Sequence, residues 1–302
     1  MVRDRVECED FPQPGLDETK LPPDLERIVS KILNEYSIGI GIIDETLRDE
    51  ERDADGQPTA TSKLLDILRT TPNAFSPRCS LPGPSPSPEE CVRILYCARR
   101  CETDKASEAH WNSHVHNQVL QAALWHTRAS VCWVNCTTAK IEPERLLLRL
   151  VDNSTILPKM VDFALSVEPT PAMTKGIHKR KTESASQPWY INHTAYGPLR
   201  RGPIGVSIET KRTGEEFSET LVKLQIWCAA QFARMEEMVA ERDFLRTTGV
   251  LGDLGTVLDS TALFLPAIIV QGHDWSFVAA VRDAEAKSMV CACYSFHAIV
   301  TS

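Results

Sequence analysis

At 302 residues, with 42% hydrophobic and 25% charged side chains, the chain is composed like an ordinary soluble globular protein and is long enough to bury a sizeable core. Its formal net charge of −8 argues against a broadly basic nucleic-acid binder. The average conceals a division, however: residues 1–103 hold 20 Asp/Glu against 13 Lys/Arg, whereas residues 168–212 hold eight Lys/Arg against three Asp/Glu, so a footprint for a polyanion is confined to that second stretch.

The first 21 residues are polar, rich in proline and acids, and are expected to be disordered. Pro22 and Pro23 introduce a helical pattern in which Leu25, Ile28, Val29, Ile32 and Leu33 recur. Leu64, Leu65, Ile67 and Leu68 suggest a second short helix, which closes a helical N-terminal region over 22–70. Residues 71–87 form a Pro/Ser-rich linker. From residue 88 to 302 the pattern is that of a single domain. Pro88-Glu89-Glu90 opens a helix running to about Cys101, with proline and acids suited to the first turn. Ser107 is a candidate N-cap for a helix reaching about His126. Strands are expected over 131–139, 161–167 and 204–211, then a long helix over 215–245. Two more strands, 265–272 and 275–282, are joined by a tight turn at Gly272-His273-Asp274. From residue 104 to 272 the order is α-β-β-β-α-β, an α/β fold with a mixed central sheet flanked by helices.

Ten cysteines include no C-x-x-C pair, so metal-finger spacing is absent; Cys132, Cys136 and Cys228 sit in apolar runs and read as small buried hydrophobes with free thiols. The N-terminus has no apolar signal region and no stretch approaches a membrane span. An intracellular setting, nuclear or cytoplasmic, is therefore expected rather than secretion.

Candidate chemistry emerges from strand periodicity. In 204–211, Ile204, Val206 and Ile208 share one face, while Gly205, Ser207, Glu209 and Lys211 share the other. In 161–167, Asp162, Ala164 and Ser166 oppose Val161, Phe163, Leu165 and Val167. Each strand thus pairs a bulky apolar face with a small-residue face that carries charge near one end. Glu108 heads an otherwise apolar helical stripe through Trp111/Asn112, Val115, Val119 and Ala122, which turns its carboxylate inward. Three inward carboxylates and a lysine are satisfied if they share a divalent cation, and oxygen ligands of this kind suit Mg²⁺ or Mn²⁺. Such a group supports phosphodiester hydrolysis: the ion polarises the phosphoryl oxygen and acidifies water, and the lysine orients or deprotonates that water. A lysine beside a metal is expected to have a lowered pKa, which suits a base.

Asp162 followed by Glu209-Thr210-Lys211 on the next strand resembles the D…(D/E)-x-K signature of the PD-(D/E)XK nuclease superfamily. The element order is similar to its restriction-endonuclease-like core, and Gln225 in LQIWCAAQ resembles the Gln-bearing helical motif of many members. SEAHWNSHVHNQVL, NCTTAKI, VDFAL, INHTAYGPLRRGPIGVSIETK and LPAIIVQGHDW look like a fungal branch described as PD-(D/E)XK nuclease-like. Together these cover roughly residues 88–282. The resemblance implies Asp162 and Glu209 as metal ligands, Lys211 and Glu108 as catalytic groups, and Gln225 as an auxiliary polar contact. The segment from about Ala284 to Ser302 departs from the family's usual continuation, where further strand and helix are expected.

Other features carry blander readings. His110 and His114 lie one helical turn apart without a third zinc ligand. Lys175, His178, Lys179, Arg180 and Lys181 read as a solvated loop that, with Arg200, Arg201 and Arg212, could contact phosphates of DNA or RNA. Trp189, Tyr190, His193 and Tyr196 could stack bases or close a cleft by packing. Two alternatives to a nuclease remain open: a binding module for nucleic acid or protein that lost turnover, and a small-molecule (secondary-metabolic) enzyme that reuses the fold.

Overall fold

A computed structural model of the chain describes residues 6–8, 23–32, 43–45, 75–76, 86–147, 159–183, 190–200, 202–212, 214, 217–247, 264–282 and 289–297. In chain order these form β1 (Val6–Cys8), α1 (Pro23–Lys31), β2 (Ile43–Asp44), β3 (Phe75–Ser76) and α2 (Pro88–Thr103). The helix α3 follows in three parts, Glu108–Trp111, a π turn at Asn112–His116, and Asn117–Leu124. Then come β4 (Val131–Asn135), β5 (Phe163–Val167), α4 (Pro171–Glu183), β6 (Ile204–Lys211), α5 (Phe217–Thr247), β7 (Phe264–Gln271), β8 (Asp274–Arg282) and β9 (Met289–His297).

Seven strands form one mixed sheet in the order β1-β9-β8-β7-β6-β5-β4, with β6/β7 and β1/β9 parallel and the other neighbours antiparallel. The parallel β6/β7 pair needs a long crossover, and α5 supplies it. The expected α-β-β-β-α-β order is present as α3-β4-β5-β6-α5-β7, with α4 inserted between β5 and β6.

Helices cover both faces, as the alternating strand patterns require. On one side Leu120 and Leu124 of α3 pack with Trp133, Phe163, Leu165, Val206, Ile208, Val270 and Trp275. On the other, Leu221, Leu224, Trp227, Cys228 and Phe232 of α5 pack with Ala164, Ala267, Ile269, Val278 and Ala280. Ile204, expected beside Val206 and Ile208, joins the α5 cluster instead; the β5/β6 register shifts between Leu165 and Ser166. Leu25 and Val29 of α1 cover Phe277 and Ala279. The small side chains on the α5 face let that helix approach closely. The connection into β6 is equally tight. A Cβ on Gly202 would lie 2.0 Å from the Val167 carbonyl oxygen, so only glycine fits there.

Several boundaries differ from expectation for identifiable reasons. The strand expected over 131–139 ends at Asn135, whose side-chain oxygen accepts from the Thr137 amide at 3.4 Å and hydroxyl at 3.0 Å and turns the chain. The strand expected from 161 begins at Phe163. The basic run expected as a loop is the helix α4: Thr170 accepts the Met173 amide at 3.3 Å and Pro171 occupies the first turn, a start signal that outweighed the run of charges. Ser87 and Glu90 form a reciprocal capping box at the start of α2. Val6–Cys8, from the stretch expected to be disordered, pairs with β9, and β9, from the C-terminal stretch that was expected to depart from the usual continuation, pairs along β8 as a regular strand. Phe75–Ser76, inside the expected linker, pairs with Ile43–Asp44. The short helix expected at 64–68 lies outside the described residues. Among the described residues no helix is long and apolar enough to cross a membrane.

Candidate active site

The site lies where the end of β6, the residue preceding β5, the head of α3 and the early part of α5 meet. Asp162 is held by backbone on both sides: its amide donates to the Ile208 carbonyl at 3.0 Å, and its own carbonyl accepts from the Cys136 amide at 2.9 Å. Its carboxylate is nearly sealed, at 6% exposure, and both oxygens are engaged. Oδ2 accepts from the Thr210 amide at 2.8 Å and hydroxyl at 3.0 Å, and Oδ1 accepts from Asn112 Nδ2 at 3.0 Å. Burial pushes the Asp162 pKa up, the Thr210 bonds oppose that, and the charge of Glu108 adds to the rise.

The π turn in α3 explains how Asn112 arrives there. The Asn117 amide reaches back to the Asn112 carbonyl, and Trp111, Asn112, Val115 and His116 are all buried. A π turn adds a residue to the helical repeat and so widens the inward face. His116 then lies inside the protein, with Nδ1 2.9 Å from Asn112 Oδ1 and Nε2 3.2 Å from the Gly272 carbonyl oxygen. Asn112 Oδ1 also accepts from the Thr210 hydroxyl at 2.7 Å. Burial drives the His116 pKa down to about 4, so the imidazole is neutral at physiological pH. Gly272 has a positive φ of 58° in the β7–β8 turn, and its amide donates to the Lys211 carbonyl at 3.0 Å. The turn therefore touches both the His116 line and the end of β6.

Glu108 and Lys211 meet directly, Nζ to Oε2 at 2.8 Å, with side-chain exposures of 11% for the lysine and 31% for the acid. Burial works against charge on Lys211, but the hydrogen bond to Glu108 and the charges of Glu108 and Glu209 win and raise its pKa above the ordinary lysine value. The expected lowering presumed a bound cation; beside Glu108 the shift has the opposite sign.

Glu209 points to the α5 side. It is 2% exposed, and its Oε1 accepts from Lys223 Nζ at 3.1 Å. Oε2 is buried without a hydrogen-bond partner among the described residues. Burial, reinforced by the negative charge of Asp162, pushes the Glu209 pKa up to about 8, even though Lys223 and Lys211 pull it down. Lys223 was not anticipated from the sequence. Neither were Asn112 and Thr210 as partners of Asp162, nor His116 as a partner of Asn112.

Gln225, expected to reach the site, is 1% exposed, and its Nε2 has no partner among the described residues. Lys223, two positions earlier on α5, makes the contact with Glu209 instead.

The donor set is compatible with a divalent cation. Glu209 offers a buried oxygen with no hydrogen-bond donor among the described residues, and a cation beside it would favour the ionised form that burial opposes. Among the described residues no three His, Cys, Asp or Glu side chains form a cage by themselves. A hard cation that keeps several waters, as Mg²⁺ does, needs only one or two protein carboxylates. The His110 and His114 rings stack at 3.9 Å on the exposed side of α3, and His114 Nδ1 lies 2.9 Å from Ser113 Oγ and 3.2 Å from the His110 carbonyl oxygen.

The basic residues separate. Lys175, Lys179 and Lys181 are exposed on α4, and Arg180 lies 3.7 Å from Glu241. Arg200 donates to the Ala195 carbonyl at 2.6 Å and sits over the Tyr190 ring, so it braces its own loop. Arg212 follows β6, while Arg201 and Trp189 lie outside the described residues. His193 is sealed against the edge of Trp227 and Tyr196 packs on the α5 core, so these two rings close the interior.

A family model described as the PD-(D/E)XK nuclease superfamily matches residues 46–296. No curated protein matches the chain.

Proposed function

The chain belongs to the PD-(D/E)XK nuclease superfamily, and from that premise we propose that it hydrolyses phosphodiester bonds of nucleic acid with a divalent cation, Mg²⁺ or Mn²⁺. The observation that carries this reading is the convergence of Asp162, Glu209, Lys211 and Glu108 with one buried carboxylate oxygen of Glu209 left unpartnered among the described residues. Asp162 and Glu209 would hold the ion, which when bound supplies Lewis acidity to the phosphoryl oxygen and a more acidic water.

The remaining roles follow from the side chains themselves. Lys211, charged against Glu108, acts as a hydrogen-bond donor to attacking water or to charge growing on the phosphoryl oxygens, not as a base. Glu108 fixes the direction of that ammonium. Asn112 and Thr210 fix the rotamer of Asp162. Gln225 would contribute through its buried amide on α5, the helix whose Lys223 reaches Glu209. Lys175, Lys179, Arg180 and Lys181 on α4, with Arg212, would meet the phosphate backbone of DNA or RNA, whereas Arg200 is taken up in bracing its own loop.

A second reading has its own observation in favour. Glu108 and Lys223 already pair with Lys211 and Glu209, so the site is partly neutralised from within. That suits a module that binds nucleic acid without cutting it.

The test is incubation of the purified chain with single- and double-stranded DNA and RNA in Mg²⁺, Mn²⁺ or EDTA, beside Lys211→Ala and Asp162→Asn. Cation-dependent cleavage lost in both variants supports hydrolysis. No cleavage and no cation binding by calorimetry sinks it, and retained affinity for nucleic acid then selects the binding module.

A further inference from the structure

We propose that Lys223 is a built-in counter-cation of the candidate metal site, which occupies Glu209 until a divalent ion takes its place and thereby sets how tightly that ion binds. This rests on the cation-binding reading above and adds to it a residue outside the acid-acid-lysine set.

The geometry singles out Lys223 rather than Lys211. Both oxygens of Asp162 are committed to Asn112 and Thr210. Lys211 is tied to Glu108 on the α3 side. Glu209 is the ligand with spare capacity: Oε1 takes Lys223 Nζ at 3.1 Å, and Oε2 has no partner among the described residues. The acid is 2% exposed and the lysine 21%, so a side chain rooted nearer the surface reaches inward to a sealed carboxylate. The lysine stem is flexible and its ammonium is compact, so the contact can be given up without moving α5. A buried carboxylate without a counter-charge is costly, and Lys223 supplies that charge while the ion is absent. Once an ion approaches, the same ammonium opposes it, because two like charges a few ångströms apart repel strongly in a part-buried site. Withdrawn from Glu209, Lys223 would need another anion, and a phosphate of the substrate strand provides one. Ion and polyanion should therefore bind with positive coupling.

Calorimetric titration of Mn²⁺ into the full chain, its Lys223→Met and Lys223→Arg variants and Glu209→Gln tests this, in buffer alkaline enough to ionise Glu209. The Met variant should bind Mn²⁺ roughly tenfold more tightly, the size expected from removing a nearby unit charge. The Arg variant should return toward the wild type, and Glu209→Gln should lose the binding. A phosphorothioate oligonucleotide should tighten Mn²⁺ binding to the wild type and have a smaller effect on Lys223→Met. Equal Mn²⁺ affinity in the wild type and Lys223→Met overturns the counter-cation role while leaving the metal site standing. No Mn²⁺ binding in any variant overturns the metal site, and this role with it. Lys223→Gln is the second variant if the apolar side chain disturbs folding, and unchanged affinity in a folded Gln variant counts equally against the proposal.

Discussion

The two flanks of the candidate site are built to different standards. On the α3 flank the side chains of Asp162, Asn112 and Thr210 are all hydrogen-bonded, and His116, neutral, donates its one N–H either to Asn112 Oδ1 or to the Gly272 carbonyl. On the α5 flank lie the buried side-chain atoms that find none among the described residues, namely both nitrogens of His193, Oε2 of Glu209 and Nε2 of Gln225. Leaving a buried polar group unpaired costs about 1–3 kcal/mol, so proteins keep such groups mainly where they serve a purpose. The difference teaches a division of labour. The α3 flank is scaffold, fixed before any ligand arrives, and the α5 flank retains the unmet bonding capacity that a ligand would use.

The largest effect should come from breaking the satisfied flank. Asp162→Ala strands the Asn112 amide nitrogen and the Thr210 backbone amide, while the Thr210 hydroxyl keeps Asn112 Oδ1 as its acceptor. A loss of about 3–5 kcal/mol is expected, at the upper end for single substitutions. Urea unfolding followed by tryptophan fluorescence measures it. A loss below about 1 kcal/mol would mean that the line is slack and that the contrast between flanks is not energetic.

Glu209 should show an intermediate effect with a distinctive pH signature. Its pKa in the folded chain is raised to about 8 by burial, above the ordinary carboxylate value. Between those two values the unfolded chain gives up the proton and the folded chain keeps it. Glu209 therefore contributes stability that is complete at acid pH and is lost as pH rises through about 8. Each unit of raised pKa corresponds to about 1.4 kcal/mol, and the value of about 8 already includes the opposing pull of Lys223 and Lys211. Glu209→Gln should flatten this part of the stability–pH curve in thermal melts from pH 5 to about 9. Saturating Mn²⁺ should flatten it too, by favouring the ionised form in the fold. A Gln variant with the wild-type slope would assign the titration to another group; Asp162, also raised by burial, is the first alternative.

The sequence made the α3 scaffold and the α5 openings legible to different degrees. Glu108, Asp162, Glu209 and Lys211 could be read because alternation in strands and the stripe on a helix place charge among small or apolar neighbours. The structure brings Glu108 to Lys211 and places Asp162 against the residue between Glu209 and Lys211. Thr210 escaped notice for the same reason: strict alternation turns it away from Glu209, and nothing local indicates that an aspartate ahead of β5 will reach over to it. Asn112 lies on the inward stripe read from Glu108, though its bond to Asp162 is not legible there, and His116 is hidden by the π turn, since regular helical spacing from Glu108 runs through Val115 and Val119 and leaves His116 to one side. The one available hint was two polar groups four apart within an apolar stripe. Lys223 could not be placed from the sequence, because which side chain of α5 meets β6 depends on how the helix lies across the sheet. The basic helix α4 was legible in composition and missed in structure, although Thr170-Pro171 is a start signal that weighs more than the charges after it.

The sharpest comparison uses one substitution on both flanks, and the effects should be small and of opposite sign. His116 and His193 are both sealed, at 1% and 0% exposure, and both are held neutral by burial, with pKa values driven down to about 4 and about 3. His116 lies within reach of Asn112 Oδ1 and the Gly272 carbonyl and, being neutral, donates to one of them, so His116→Phe breaks that bond and should cost about 1–2 kcal/mol. His193 stands edge-on to Trp227 at 4.2 Å with neither nitrogen partnered among the described residues, so His193→Phe removes two buried polar atoms and keeps a ring against the indole. It should be neutral or stabilise by up to about 1 kcal/mol, provided the slightly larger ring fits without strain. Paired urea titrations of the two variants read the difference directly. If His193→Phe costs as much as His116→Phe, the imidazole at 193 has a bonding partner, and the α5 flank has fewer unmet polar atoms than its geometry implies. If the signs differ as expected, the remaining open atoms beside β6 are those of Glu209 and Gln225, on the flank where Lys223 stands.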